Sequence, residues 1–262
     1  MSHAGGNCKC YRQMNREDPD ILCLQEVRFN PYRKSKVQEF LGRYVSGTAP
    51  GPGMTPGKHM LEDLFQHLPQ YRSHYVWEPG MRYDDHQVEG LAILSKFPIR
   101  SHAVKRLAKH ERDGNSRICL SALIAHPWGD IQVFDTHFTY AVEGQPLQCK
   151  EVSRFLVQEN KGIPQLLMGD FNCFRVSSLA NRFLSGGSID GESLLPLRDV
   201  WTELNSSDPG CTFPSYKPKE RLDRILCSPG LQPTACYKVG EASAPDVWAS
   251  DHCGLVAIFR LP

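Results

Sequence analysis

Short apolar runs, each the length of one buried strand, end repeatedly on a carboxylate or an imidazole. Ile21-Leu22-Cys23-Leu24 runs into Gln25-Glu26, Ile131 to Phe134 into Asp135-Thr136-His137, and Gln165-Leu166-Leu167-Met168 into Gly169-Asp170-Phe171-Asn172. Later, Arg221-Leu222-Asp223-Arg224 leads into Ile225-Leu226-Cys227, and Ser250-Asp251-His252 into Gly254 to Phe259. Acids and imidazoles gathered at one edge of a packed sheet repel one another and lose hydration, and a cation or a phosphate among them offsets both costs. The pattern therefore points to a metal-assisted hydrolytic site.

Between these runs the pattern predicts helices and further strands. A helix over Lys9 to Glu17 ends at Asp18-Pro19-Asp20, where proline halts it and the strand to Glu26 begins. Gly47 to Gly57 holds three prolines and four glycines and reads as a surface loop. Leu61, Leu64, Phe65 and Leu68 fall at helical spacing and close at Pro69. Strands are expected at Tyr71–Trp77, Gly90–Leu94, Arg117–Ile124 and Ile131–His137, the last two joined by a hairpin connection at Pro127-Trp128-Gly129-Asp130. Further helices are expected between Leu147 and Glu159, and after Ser177 up to Gly186-Gly187. Strands, then helix, then strands again suit two packed sheets flanked by helices, and nothing repeats at a fixed period.

Composition narrows the class. A chain of 262 residues, 40% hydrophobic, can bury one large core, so a single domain spanning 1–262 is expected. Thirty basic residues against 29 acids give no global field toward nucleic acid or an anionic membrane, so a polyanion must be held locally. The first residues carry no secretory leader pattern and no apolar run reaches the roughly 18 residues of a membrane span. A monomer in the cytoplasm, with the nucleus as the alternative, is the expectation. Of the ten cysteines, Cys23, Cys119, Cys227 and Cys253 sit in or beside apolar strands and read as reduced. Cys8-Lys9-Cys10 has no second Cys or His pair at finger spacing, which argues against zinc there.

In Gly169-Asp170-Phe171-Asn172 the glycine lets the backbone turn out of the sheet, Phe171 folds back, and Asp170 and Asn172 point the same way. An acid and an amide side by side suit a water nucleophile and a phosphate oxygen. The same tetrapeptide also reads as an Asx turn ending a strand. Glu26 fits a magnesium site, which usually takes one or two carboxylates and keeps several waters, and equally fits a solvated strand end. On extended backbone Asp251 and His252 would face opposite ways. Asp223 is available to fix the tautomer of His252, and Glu89 is available to His137.

Taken in order, Asp-Ile-Leu-Cys-Leu-Gln-Glu-Val from Asp20, Glu-Gly-Leu-Ala-Ile-Leu-Ser-Lys-Phe-Pro-Ile from Glu89, Gly-Asp-Phe-Asn from Gly169, Arg-Leu-Asp-Arg-Ile-Leu from Arg221 and Ser-Asp-His from Ser250 resemble the endonuclease/exonuclease/phosphatase superfamily, which includes deoxyribonuclease I. The resemblance implies a four-layer α/β/β/α sandwich with a site at one end of two mixed sheets. It implies Mg²⁺, with Mn²⁺ as the alternative, held by Glu26 with Asp251 near it. Asp170 and Asn172 would position the attacking water and the phosphate. His252, held by Asp223, and His137, held by Glu89, would flank the scissile phosphorus. The expected substrate is a phosphate ester: nucleic acid, phospholipid or a small phosphodiester.

One departure stands out. Members of the superfamily begin with a buried strand bearing an asparagine at the metal site, whereas Met1 to Cys10 hold no apolar run, and the role is not carried to Asn7. An N-terminally shortened domain is therefore expected, with exposed strand edges and a weakened metal site. Two functions follow: a Mg²⁺-dependent phosphodiesterase, nuclease or phosphatase, and a weak or inactive member that binds a phosphorylated ligand or partner. Arg28, Arg33, Lys34 and Lys36, with Lys217, Lys219 and Arg221, read either as a phosphate-holding rim or as solvated loop charges. Trp77, Trp201 and Trp248 read as core more readily than as stacking surfaces.

Overall fold

Strands apolar on both faces lie at the centre of the molecule. The computed structural model describes residues 4–29, 60–82, 88–175, 177–193, 197–241 and 250–260. Within it β3 (Val88–Ser95) is buried along its whole length, and β5 (Arg117–His126) and β6 (Gly129–His137) along most of theirs. The other strands are β1 (Ile21–Phe29), β2 (Tyr75–Arg82), β4 (Ile99–Leu107), β7 (Gln165–Asp170), β8 (Ser188–Ile189), β9 (Glu192–Ser193), β10 (Arg198–Asp199), β11 (Asp223–Cys227), β12 (Gln232–Val239) and β13 (Gly254–Arg260). The helices are α1 (Ala4–Glu17), α2 (Met60–His67), α3 (Gln145–Gln158), α4 (Leu179–Leu184) and α5 (Val200–Leu204).

Six strands make one mixed sheet in the order β10-β11-β7-β6-β5-β4, with β6 and β7 parallel. Antiparallel sheets β1-β3-β2 and β12-β13 form the layer opposite. Three buried clusters mark the interfaces of four layers. Tyr11 of α1 and Leu61, Leu64 and Phe65 of α2 pack on β1-β3-β2. Val76, Leu91 and Ile93 meet Ile118, Leu120, Val133 and Ile225 between the sheets. Phe134, Leu167 and Leu226 lie under Val152, Phe155 and Phe183 of α3 and α4. Each such side chain contributes about 1.5–3 kcal/mol by leaving water. The result is the α/β/β/α sandwich that the sequence predicts.

Where the chain differs from its pattern, local chemistry explains it. The first helix starts at Ala4 rather than Lys9 and runs through Gly5-Gly6. β2 starts at Tyr75 rather than Tyr71, because Pro69–Tyr71 forms a 3₁₀ turn and the Tyr71 hydroxyl donates to the Pro19 carbonyl. β2 then continues through Pro79, which is tolerated at a register shift on an edge strand. β4 escapes the hydrophobic pattern because it is the other sheet's edge and most of its side chains meet solvent. Pro127-Trp128 joins β5 to β6 as a two-residue connection. α4 is capped by Ser178, whose hydroxyl accepts the Asn181 N–H at 3.1 Å, and the chain turns at Gly186. Cys23, Cys119, Cys227 and Cys253 are free thiols, as are Cys10, Cys149, Cys173, Cys211 and Cys236. The Gly47–Gly57 loop lies outside the described residues.

The layer of β1 is divided. β1 crosses β6 and β7, β13 crosses β11, and among the described residues no strand pairs with the outer edge of either.

A buried ion network supports the site from below. Asp199, which also caps α5, accepts from Arg221 at 2.5 Å and Arg224 at 2.9 Å, and Arg224 also donates to Asn181. Arg221 is therefore a structural partner of Asp199, a correction to its reading as a rim cation. Burial opposes ionisation of Asp199, but the two guanidiniums outweigh it and its pKa is lowered. A depressed carboxyl stabilises above its unfolded pKa, near 3.9, and loses that contribution as pH falls through its folded value. Asp199→Asn is expected to cost about 2 kcal/mol at pH 7. Urea denaturation should show this deficit closing below about pH 4; an unchanged deficit would contradict the ion network.

Candidate active site

The site is assembled at the ends of five strands. Ladder register places His137, Asp170 and Asp223 side by side on β6, β7 and β11, because Asp170 is the partner of both others. The His137 Nε2 lies 3.5 Å from Asp170 Oδ2, and His252 Nδ1 lies 2.9 Å from Asp223 Oδ2. Thr212 donates its hydroxyl to the same Asp223 oxygen at 2.5 Å and accepts the Asp223 N–H at 3.3 Å.

Ser250-Asp251-His252 forms a bend instead of the expected extended backbone. It is tied to the 212–215 segment through Ser215 N–H to Asp251 O (2.7 Å) and Cys253 N–H to Thr212 O (2.8 Å). His252 is thereby turned onto Asp223. Asp251 remains exposed.

On the other sheet a bulge aims the acids. Gln25 and Glu26 together oppose one residue of β3, and Glu26 has φ +55°, a left-handed conformation that costs a non-glycine residue about 1–2 kcal/mol. Such strain persists where surrounding structure imposes it, often at functional positions. Gln25 points inward and donates to Asp135 Oδ1 at 2.6 Å. Glu89 is buried beside Gly90, where a Cβ would come within 2.0 Å of the Glu78 carbonyl oxygen, so glycine alone permits this approach of β2 and β3.

Asn172, at φ +49°, ends the β7 segment in an Asx turn, its N–H donating to Asp170 Oδ1 at 2.8 Å. Its side-chain amide donates to Phe138 O at 2.9 Å. The tetrapeptide thus forms the Asx turn, and that turn fixes Asp170.

Electrostatics separates the two imidazoles. Burial, then Arg117 and His252, push the pKa of His137 well below its ordinary value. Burial would lower His252 too, but its hydrogen bond to Asp223 and the charges of Asp223, Asp170 and Asp251 raise it to about 9. Asp170 is raised by burial and by Asp223. The same sheet edge thus disfavours the cation at His137 and favours it at His252.

Two sets of donor atoms lie within 4.8 Å of one another: Glu26, Glu89 and His137, and Asp170, Asp223 and His252. Carboxylate oxygens with imidazole suit a hard divalent cation. Glu26 is half exposed, as an ion keeping several waters requires, and Arg28 already supplies positive charge to the first set, bridging Glu26 at 2.8 Å and Glu89 at 3.0 Å. The residues present therefore fit such an ion. Asp251 belongs to neither set.

Among the rim cations, Arg28 faces the acids and Lys217 and Lys219 are exposed, while Arg33, Lys34 and Lys36 lie outside the described residues. Trp77 and Trp201 are buried, and Trp248 is not among the described residues. In the sequence Asp135 reads only as a strand-end carboxylate, and Thr212 carries no site role. Period-two alternation puts Asp135 on the same face of β6 as His137, which was the available signal. Thr212 is linked to Asp223 only by folding.

This geometry has counterparts. The Endonuclease/Exonuclease/phosphatase family model matches residues 9–252, and the chain belongs to that family. A comparison with curated proteins gives no match. Among solved structures, the endonuclease/exonuclease/phosphatase from Beutenbergia cavernae DSM 12333 is similar at TM-score 0.68 and 22% identity, covering 97% of this chain and 65% of that one. The present chain thus spans less than two thirds of that relative. An endonuclease/exonuclease/phosphatase family protein from Leptotrichia buccalis C-1013-b is similar at TM-score 0.72 and 17% identity, covering 100% and 96%. The Bacteroides thetaiotaomicron VPI-5482 mannosyl-6-phosphatase Bt3783 is similar at TM-score 0.65 and 16% identity, covering 98% and 91%. At these identities the likeness is one of fold. Among the described residues no helix is long and apolar enough to cross a membrane.

Proposed function

We propose that this chain is a metal-dependent hydrolase of phosphate esters, acting with water as nucleophile. The observation that carries the reading is the side-by-side placement of His137, Asp170 and Asp223, with His252 hydrogen-bonded to Asp223. Asp170 accepts a hydrogen bond from water, orients it toward phosphorus and takes its proton as the new bond forms. Asn172 presents its amide to a phosphoryl oxygen. His252, charged, donates to the oxygen that leaves as the water–phosphorus bond forms and the ester bond breaks, while neutral His137 binds the phosphoryl group from the other side. Glu26 and Glu89 would hold Mg²⁺ or Mn²⁺, with Asp251 near it. When bound, that ion supplies charge compensation on phosphoryl oxygens. The phosphatase likeness supports phosphate-ester chemistry.

The layer that is divided among the described residues favours a second reading, a weak or inactive member that binds a phosphorylated ligand or partner. One assay separates them: DNA, RNA, sphingomyelin, phosphoinositides and small phosphodiesters, each with and without Mg²⁺, on this chain and on an N-terminally extended form. Metal-dependent turnover by this chain supports the enzyme. Binding without turnover supports the second reading.

A further inference from the structure

We propose that Tyr140, Phe174, Arg112 and Arg175 form a platform that binds an unpaired base and adjoining phosphate of single-stranded nucleic acid; this rests on the phosphoesterase reading and names its substrate class. Tyr140 follows His137 by three residues and Phe174 follows Asn172 by two, spans of at most about 10 Å and 7 Å of chain. Both rings therefore belong to the immediate surroundings of the site, and both are solvent-exposed, at 50% and 38%.

That exposure is built on a rigid base. The loops after β6 and β7 are stapled together: Gln145 Nε2 donates to Thr139 O at 3.0 Å and to Asn172 O at 2.7 Å, Asn172 Nδ2 donates to Phe138 O at 2.9 Å, and Gln148 Oε1 accepts Thr139 N–H at 2.9 Å. Thr139, Gln145 and Gln148 are fully buried. The backbone that carries both rings is thus held in place, and each ring keeps part of its surface in water. An aromatic surface held in that way near a phosphate site suits a flat partner.

Cations accompany the rings. Tyr140 donates its hydroxyl to Arg112 O at 2.8 Å, and the Arg175 guanidinium lies 5.8 Å from the centre of the Phe174 ring. Glu143 pairs with Arg112 at 2.9 Å. Its carboxyl is lowered by its own backbone N–H and then by Arg112, His110 and Arg175, which puts both guanidiniums about one exposed acid. Aromatic rings with guanidiniums recognise bases of any sequence by stacking and the backbone by charge. A base inside a duplex offers no free face to such rings, which selects single strands. Two separate rings do not make the contiguous apolar area that an acyl chain requires.

The test measures fluorescence anisotropy of a labelled single-stranded oligonucleotide on the full chain, beside turnover of bis(p-nitrophenyl) phosphate with Mg²⁺. Tyr140→Ala and Phe174→Ala are each expected to weaken single-strand binding roughly tenfold, with Tyr140→Phe and Phe174→Tyr near wild type. Arg175→Glu should weaken binding and flatten its salt dependence. Small-diester turnover should stay within about twofold in all of them, since stacking on a flanking base plays no part there. Equal binding by wild type and the double alanine variant, or preference of wild type for a duplex or for phospholipid vesicles, would overturn the platform. If wild type turns over the small diester but binds no oligonucleotide, the platform alone fails. If it does neither, the phosphoesterase reading fails with it.

Discussion

Asp170→Asn is expected to remove at least about a thousandfold of turnover while leaving the fold intact, in keeping with the loss of a positioned general base. Asp170 is 7% exposed, its Oδ1 accepts Asn172 N–H, and its Oδ2 faces His137 Nε2. Asparagine keeps the volume and one acceptor but cannot supply an anionic oxygen to a water. The stability effect has the opposite sign. Because burial and Asp223 raise the carboxyl's pKa, ionisation opposes folding, and this penalty grows as pH rises past the unfolded value near 3.9. A neutral amide avoids it, so Asp170→Asn should denature at the same or higher urea concentration than wild type. Circular dichroism melts and initial rates on one preparation check both halves. Retained turnover would remove Asp170 from the chemistry.

Gly169→Ala is expected to destabilise by about 4 kcal/mol, combining backbone strain with steric overlap. Gly169 has φ +145°, and a Cβ there would lie 2.0 Å from the Thr136 carbonyl oxygen of the neighbouring parallel strand. No side-chain rotation relieves a clash with backbone. The strands must separate, and they are the two that carry His137 and Asp170 at their next positions. Activity should therefore fall together with stability. Urea denaturation midpoints at fixed pH measure the loss; a change below about 1 kcal/mol would mean that β6 and β7 do not approach as described.

How much of this was legible beforehand depended on whether burial was encoded locally. β5, β6, β7 and β11 show in the sequence because both their faces are largely buried, leaving continuous apolar runs with a polar stop, and the half-buried β1 shows by its run Ile21 to Leu24. β4, with Lys105 and Arg106 on an edge, and β12, broken by Pro233, carry no such run. The site followed the same division. Asp170 and Asp223 were visible as strand-end acids, and the Asp223–His252 pair was named as a partnership that the folded chain then brought to 2.9 Å. The bulge at Gln25-Glu26 was not visible, since it arises from pairing with β3 across distant sequence. Arg28 and Arg221 looked alike as basic neighbours of acids. Folding sends one to Glu26 and Glu89 and the other to Asp199, a choice made by which acid is buried within reach.

In the proposed function these acids and imidazoles act together with a divalent ion on a phosphate ester. Titrating Mg²⁺ into the metal-stripped full chain while following bis(p-nitrophenyl) phosphate hydrolysis tests it most directly. Turnover should be nil with EDTA, rise to saturation with Mg²⁺, and stay at baseline throughout for Asp170→Asn. Hydrolysis indifferent to EDTA, or equal in wild type and Asp170→Asn, would contradict it.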